Sequence, residues 1–185
     1  LFRSSAASDV YKRQTLPTNC PVCKHQVYQT DGEAILRCGN TSCTKQIKGR
    51  LKHFCSKGAM DIDGLGEKVI NQLVDEGILD SISSIFSITE QNLLSLERFG
   101  EKSSSNLISA IKRSKKTSFS KFVYGLGIRN VGEHIARLLE RNYEGNIKKF
   151  RCASSDELEQ IEGVGPIVAN AVSYTHLRAH ETGYN

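Results

Sequence analysis

The chain has 185 residues, of which 38% are hydrophobic, and it carries a formal net charge of +5. This length fits one ordinary domain or two small ones. No segment approaches the roughly 20 consecutive apolar residues of a membrane-spanning helix, and the first ten residues lack the apolar run of a signal peptide. We therefore expect no membrane partner, and the mildly basic balance indicates an anionic one.

Both ends of the chain differ from its interior. Residues 1–14 and 173–185 lack the periodicity of the segments between them. We expect both ends to be non-native tails of a partial gene product, and we expect the second tail to interrupt a helix just after Val172.

The first motif in chain order is a set of two closely spaced cysteine pairs: Cys20 and Cys23, then Cys38 and Cys43. Four thiolates at this spacing can form the closed tetrahedral sulfur site that Zn²⁺ favours, although two disulfides or four unrelated thiols are alternatives. Asp31-Gly32 lies between short runs with strand character and predicts a β-hairpin that brings the pairs together. We expect residues 15–52 to be a small finger whose folding depends on a structural zinc ion. Metal-binding rather than disulfide-bonded cysteines indicate the reducing cytoplasm.

Other cysteines and two basic segments lie outside this motif. Cys55 and Cys152 are predicted to be packed or unreactive thiols. Residues 45–59 and 111–122 are rich in lysine and arginine. Each segment has two interpretations that the sequence leaves open, a solvated face and a strip that contacts nucleic-acid phosphates.

From residue 58 onward the chain contains four similar segments. Each has an apolar run, a short link, a closing glycine and then residues at helical spacing, and the closing glycines recur about every 33 residues. Tetratricopeptide and ankyrin arrays have similar periods, but this chain has no tryptophan and no TPLH-type segment. The pattern apolar–x–Gly–apolar–Gly is instead the helix-hairpin-helix signature. We call residues 62–66, 96–100, 128–132 and 161–165 hairpins one to four.

Each part of the hairpin pattern has a physical role. The first glycine allows a backbone conformation with positive φ, and the apolar residue is expected to pack between the two helices. The second helix then begins at the hairpin, so that its unpaired N–H groups and the positive end of its dipole point outward. That geometry binds a phosphate without reading the base. Gly163-Val164-Gly165 is therefore not a dinucleotide loop, which needs a preceding strand and a third glycine.

The four hairpins are not equivalent. Arg98 replaces the first glycine in hairpin two and Asn130 replaces it in hairpin three, and asparagine tolerates left-handed backbone better than arginine does. We expect hairpins one, three and four to contact the DNA backbone. Hairpin two is expected either to bind phosphate through Arg98 and Lys102 or to serve in packing. The predicted DNA-binding residues are Gly64, Gly66, Lys68, Arg98, Gly100, Lys102, Arg129, Asn130, Gly132, Gly163 and Gly165.

These motifs together resemble one family. CPVC and its second cysteine pair, LKHFCSKGAMDIDGLGEKVINQLVDEG, LERFGEKS and FVYGLGIRNVGEHIARLL are similar to the bacterial NAD-dependent DNA ligases over about residues 15–172. The resemblance implies a mainly α fold, with a small four-cysteine zinc finger and short β-hairpin followed by a compact helical domain of four helix-hairpin-helix motifs at residues 53–172. It also implies that the four cysteines bind zinc and that the hairpin glycines contact DNA.

The resemblance implies a parent enzyme that seals nicks in duplex DNA during replication and repair. In that family a lysine in a KxDG motif is adenylated from NAD, and Mg²⁺ is a further cofactor. No KxDG occurs in this chain. We therefore expect the chain to be the part that binds zinc and duplex DNA, with nicked duplex as its partner. We also expect it to be monomeric, inactive alone and associated with the bacterial nucleoid. A stand-alone DNA-binding or scaffold protein is the main alternative; part of an excision nuclease is a third, against which the cysteine spacing argues.

Overall fold

The structure is a computed structural model that describes residues 16–29, 34–97 and 99–181, with side chains up to residue 175. It separates into two compact units, Leu1–Cys43 and Thr44–Asn185. The predicted tail 1–14, the Asp31-Gly32 turn and Arg98 lie outside the described residues. Among those described, no helix is both long and apolar enough to cross a membrane.

Unit one contains the predicted β-hairpin. Strands β1 (Val27–Gln29) and β2 (Leu36–Cys38) are antiparallel, and Val27 pairs with Cys38. Within the described part of this unit only Cys20 and Cys43 are buried, so apolar side chains form no core there. The four thiols of the unit lie together instead.

Unit two is helical, as the resemblance implies. Its elements are α1 (Thr44–Cys55), α2 (Glu67–Asp75), a 3-10 helix (Ser83–Ser87), α3 (Glu90–Leu94), α4 (Glu101–Ser114), α5 (Phe119–Gly125), α6 (Glu133–Tyr143), α7 (Ile147–Arg151), α8 (Ser155–Glu159) and α9 (Pro166–Glu181). Helix α8 precedes hairpin four and Pro166 is the first residue of α9, as the sequence predicts.

The four hairpins pack as two pairs, each with its own core. Hairpins one and two enclose a core that includes Leu73 and Leu107. Hairpins three and four enclose another that includes Leu139 and Val172. Phe122 packs against both cores and therefore joins the two pairs.

Helix α1 lies in unit two, although the sequence analysis placed residues up to 52 in the finger. Leu51 and Phe54 of α1 are almost fully buried in the first core, because apolar residues recur at helical spacing along the otherwise basic segment. The basic segment is thus mostly one face of a packed helix rather than a link between domains.

Helix α9 also differs from the expectation for its end. The loss of periodicity predicts an interruption after Val172, but the helix continues to Glu181. No glycine or proline occurs between Pro166 and Gly183, so nothing local ends the helix after Val172.

Glycine substitutions in hairpin four and helix α1 should have opposite effects on stability. Gly163 has φ +89°, and a Cβ there would lie 3.0 Å from Leu138 Cδ1. We expect Gly163→Ala to lower the free energy of unfolding by about 1–3 kcal/mol, because strain and overpacking add. Gly49 in α1 has no atom within 4 Å of an added Cβ, so Gly49→Ala should stabilise the chain by about 0.5–1 kcal/mol. Urea unfolding followed by circular dichroism measures the free energy of unfolding of both variants. Changes of the same sign in the two variants would contradict this expectation.

Candidate metal centre and nucleic-acid interface

Two tight turns position the four thiols of unit one. In the first, the Cys20 N–H donates to the His25 carbonyl (2.7 Å), and the Lys24 N–H donates to the Cys20 carbonyl (2.9 Å). Lys24 has a φ of 60°, which closes this turn between the first cysteine pair and β1. In the second, Asn40 accepts from the Ser42 N–H through its side chain (2.9 Å) and from the Cys43 N–H through its carbonyl (3.1 Å).

The sulfur geometry fits one zinc ion. All four Sγ atoms lie within 4.8 Å of one another, and those of Cys23 and Cys38 are 3.4 Å apart. A tetrahedral site with Zn–S bonds of about 2.3 Å has its sulfurs about 3.8 Å apart. All six cysteines are free thiols, so the disulfide alternative is not realised. A closed set of four thiolates is the ligand chemistry of a structural zinc site.

Electrostatics within the cluster also favour a cation. The His25 backbone N–H, with help from Cys38 and Asn40, lowers the pKa of Cys23 to about 6. At Cys38 the Asn40 N–H favours the thiolate, but desolvation and the neighbouring thiols Cys23 and Cys20 outweigh it and raise the pKa to about 12. The thiols therefore compete for negative charge, and a divalent cation removes that competition by stabilising all four thiolates.

The other two cysteines take no part in this site. Cys55 is buried in the first core of unit two, and burial raises its pKa to about 12, so it is a packed and unreactive thiol as predicted. Cys152 is exposed at the end of α7.

The described hairpins in unit two share one turn geometry. The first position of the turn has positive φ in all three: Gly64 (86°), Asn130 (62°) and Gly163 (89°). The next residue is apolar and nearly buried in each case, namely Leu65, Val131 and Val164. Its N–H donates to the carbonyl three residues earlier, at 3.2, 3.0 and 2.9 Å respectively. Both predictions about the turn, positive φ and apolar packing, are confirmed.

The closing glycines stand at the start of the second helices. Gly66, Gly100 and Gly132 precede α2, α4 and α6 with extended φ values of −78°, −105° and −85°, and no side chain caps these helices. The carbonyls of these glycines and of Gly165 accept the first helical hydrogen bond at 3.0 Å. A Cβ at any of the four would meet nothing within 4 Å. The backbone there does not require glycine, but the missing side chain leaves space beside the uncapped N–H groups.

The predicted basic residues near these glycines are exposed. Lys68 and Lys102 are the second residues of α2 and α4, and Arg129 lies within hairpin three. Of the predicted contacts of hairpin two, the structure describes Gly100 and Lys102, whereas Arg98 lies outside the described residues.

Ion pairs neutralise part of the basic face of α1, and sequence reasoning missed them. Lys48 pairs with Asp75 at 2.6 Å, and Lys52 pairs with Glu67 at 2.5 Å. Both acids belong to α2 and lie far along the chain from their partners. The sequence shows lysines at helical spacing in one segment and acidic residues in the next, which is compatible with ion pairs between the two helices. Which residues pair depends on how α1 packs against α2.

A site of four thiolates that suits zinc, followed by paired helix-hairpin-helix motifs with uncapped helix starts, is typical of a DNA-binding protein. Family models agree with each part. Residues 19–44 match the NAD-dependent DNA ligase C4 zinc finger domain. Residues 57–113 match the SAM-like helix-hairpin-helix tandem, and residues 121–181 match the helix-hairpin-helix motif. The last match extends beyond Val172, as helix α9 does.

Whole-chain comparison gives the particular family. The chain is 44% identical over 157 residues to the DNA ligase of Desulfosudis oleivorans, covering 85% of this chain and 23% of the relative. It is 44% identical to the DNA ligases of Syntrophobacter fumaroxidans over 168 residues and of Legionella pneumophila (strain Lens) over 166, covering 90% and 89% of this chain. It spans about a quarter of the length of these relatives. The chain thus matches the zinc-finger and helix-hairpin-helix part of the NAD-dependent DNA ligases.

Loss of one zinc ligand should release the metal and unfold unit one alone. We expect one zinc ion per wild-type chain and none in Cys38→Ser, because the described residues of unit one form no apolar core and zinc contributes about 10 kcal/mol or more in such sites. Zinc analysis after dialysis, with hydrogen exchange of residues 18–43, measures both effects. Cys152→Ser, outside the cluster, should keep its zinc. Retained metal and unchanged exchange in Cys38→Ser would rule out the four-ligand site.

Proposed function

We propose that this chain grips the sugar-phosphate backbone of nicked duplex DNA for an NAD-dependent ligase that seals the nick. The observation that carries the proposal is the repeated start of α2, α4 and α6, where the open space beside the closing glycine leaves the first N–H groups of the helix accessible. Gly165 leaves the same space before α9, whose first residue, Pro166, has no N–H. Such a helix start favours a phosphate through both hydrogen bonds and the helix dipole. The match of residues 19–44 to the ligase finger favours this role over a stand-alone scaffold.

The individual contacts divide between backbone and side chains. Gly64, Gly66, Gly132, Gly163 and Gly165 admit the phosphates of hairpins one, three and four. Asn130 takes the place of a first glycine. The remaining residues of the proposed DNA-binding surface are Lys68, Lys102, Arg98, Arg129 and Gly100. The zinc ion is structural and holds unit one together. Because none of these groups is arranged to read base edges, binding is independent of sequence.

The parent enzyme supplies the chemistry. NAD provides the adenylate and Mg²⁺ assists its transfer, and both act in parts that carry a KxDG lysine. The chain works as a monomer, because several hairpins of one copy contact the same duplex. Its place is on chromosomal DNA in the bacterial cytoplasm.

DNA binding by the chain should be weak, independent of sequence and strongly salt-dependent. We expect the association constant to fall by about tenfold or more between 50 and 200 mM salt, because phosphate contacts release condensed cations. Fluorescence anisotropy with labelled nicked duplexes of two unrelated sequences measures this. A sequence-selective or salt-insensitive affinity would contradict the proposal.

A single variant tests the hairpin contact separately from folding. Gly132→Thr places a side chain in the open space before α6, while threonine suits both the N-cap position and the extended backbone there. We expect weaker DNA binding with an unchanged unfolding temperature. If Gly132→Thr binds DNA as tightly as the wild-type chain does, hairpin three does not contact DNA.

The chain alone should not seal nicks. We expect no ligated product when the chain is incubated with nicked duplex, NAD and Mg²⁺, because no KxDG lysine is present to receive the adenylate. A denaturing gel of a labelled nicked strand measures the product. Any sealed strand would show that this part of the enzyme has chemistry of its own.

A further inference from the structure

A carboxylate stands at the start of the second helix in three of the four hairpins. The first residue after the closing glycine is Glu67, Glu101 or Glu133 in hairpins one to three, but Pro166 in hairpin four. A carboxylate there interacts favourably with the helix dipole. It also repels a phosphate that approaches the same N–H groups. Hairpins one to three therefore carry an anion where the proposed function requires another anion to bind.

In hairpins one and three this carboxylate is held by a cation. Lys52 Nζ of α1 lies 2.5 Å from Glu67 Oε2, and Arg137 of α6 lies 3.2 Å from Glu133 Oε2. The hydrogen bond from Lys52, followed by its charge and that of Lys45, lowers the pKa of Glu67. Every side chain in the two pairs is more than half exposed, at 54–65%. Water screens such pairs, so they open at little cost.

The surroundings of Glu133 resemble a phosphate-binding site in which the Glu133 carboxylate takes the place of the phosphate. A cavity of about 200 Å³ at the start of α6 is lined by the residues Ser118, Ser120, Lys121, Tyr124, Glu133 and Arg137, together with Gly58. Glu133 Oε1 lies 3.4 Å from the position that a Cβ on Gly58 would take, so the carboxylate reaches across the cavity. The lining thus holds two cations and one carboxylate, and a second carboxylate, that of Glu140, accepts a hydrogen bond from the Ser120 N–H at 3.1 Å. Gly132, the closing glycine of hairpin three, is adjacent in the chain.

We propose that Glu67 and Glu133 are exchangeable counter-anions, which a DNA phosphate displaces from Lys52 and Arg137. This inference rests on the proposed function. In the free chain the carboxylates neutralise the two cations, and in the complex the cations contact phosphates beside hairpins one and three, with Lys121 as a further donor at hairpin three. Hairpin four binds without exchange, because Pro166 offers no carboxylate. The exchange limits the affinity of hairpins one and three for DNA.

Removal of either carboxylate should tighten DNA binding. We expect Glu67→Gln and Glu133→Gln each to raise the association constant about two- to fivefold, since no surface ion pair must then open. Glu76→Gln is the matched control, because it removes the same charge from the exposed residue at the opposite end of α2 and should bind as the wild type does. Anisotropy titrations with duplex DNA at several salt concentrations measure all three variants.

Removal of either cation separates exchange from a static ion pair. We expect Lys52→Gln and Arg137→Gln to weaken binding and to reduce the slope of log K against log salt by about one each, because one phosphate contact is lost. A static pair would change the unfolding temperature without changing this slope. Unchanged affinity in both glutamate variants, or an unchanged slope in both cation variants, overturns the exchange while leaving DNA binding intact. A wild-type chain that binds no duplex overturns the proposed function as well.

Discussion

The helical unit depends on burial of the single apolar residue inside each hairpin turn. Each turn places its apolar residue in a core; these residues are Leu65, Val131 and Val164. In each turn the N–H of this residue donates a hydrogen bond to the carbonyl three residues earlier. Two short helices cannot enclose such a residue alone, so two hairpins share one core and the motifs occur as pairs. Once the apolar residue is fixed inward, the closing glycine and the start of the second helix face outward. The DNA-binding geometry is thus a consequence of packing rather than a separate feature.

The two glycines of each hairpin have different physical roles. The first adopts positive φ and lies against the partner hairpin: a Cβ on Gly64 would meet Leu107, and one on Gly163 would meet Leu138. The second has ordinary extended backbone at Gly66 and Gly132, and an added Cβ there would meet no atom within 4 Å. Folding therefore requires the first glycine, whereas only an approaching ligand benefits from the second. Asn130 satisfies the first role because it tolerates positive φ.

The finger is stabilised by a different force. Its described residues bury Cys20 and Cys43 but no larger apolar side chain, so coordination of a metal ion replaces hydrophobic burial as the source of stability. The opposed pKa shifts of Cys23 and Cys38 indicate that these two neighbouring thiols compete for negative charge, which a bound cation would stabilise on both. One chain thus combines a unit held by a metal with a unit held by apolar packing.

Local patterns in the sequence determined most of this protein. Cysteine spacing gave the zinc ligands, and the recurring glycines gave the hairpins and the starts of their helices, because turns and helix ends depend on a few neighbouring residues. Tertiary structure alone decided that α1 packs in the helical unit, that hairpins one and two share one core, and that Lys52 pairs with Glu67. It also placed Lys121 beside Arg137 and Glu133 in one cavity. These arrangements join residues distant in the chain, and their geometry is fixed only when the helices pack.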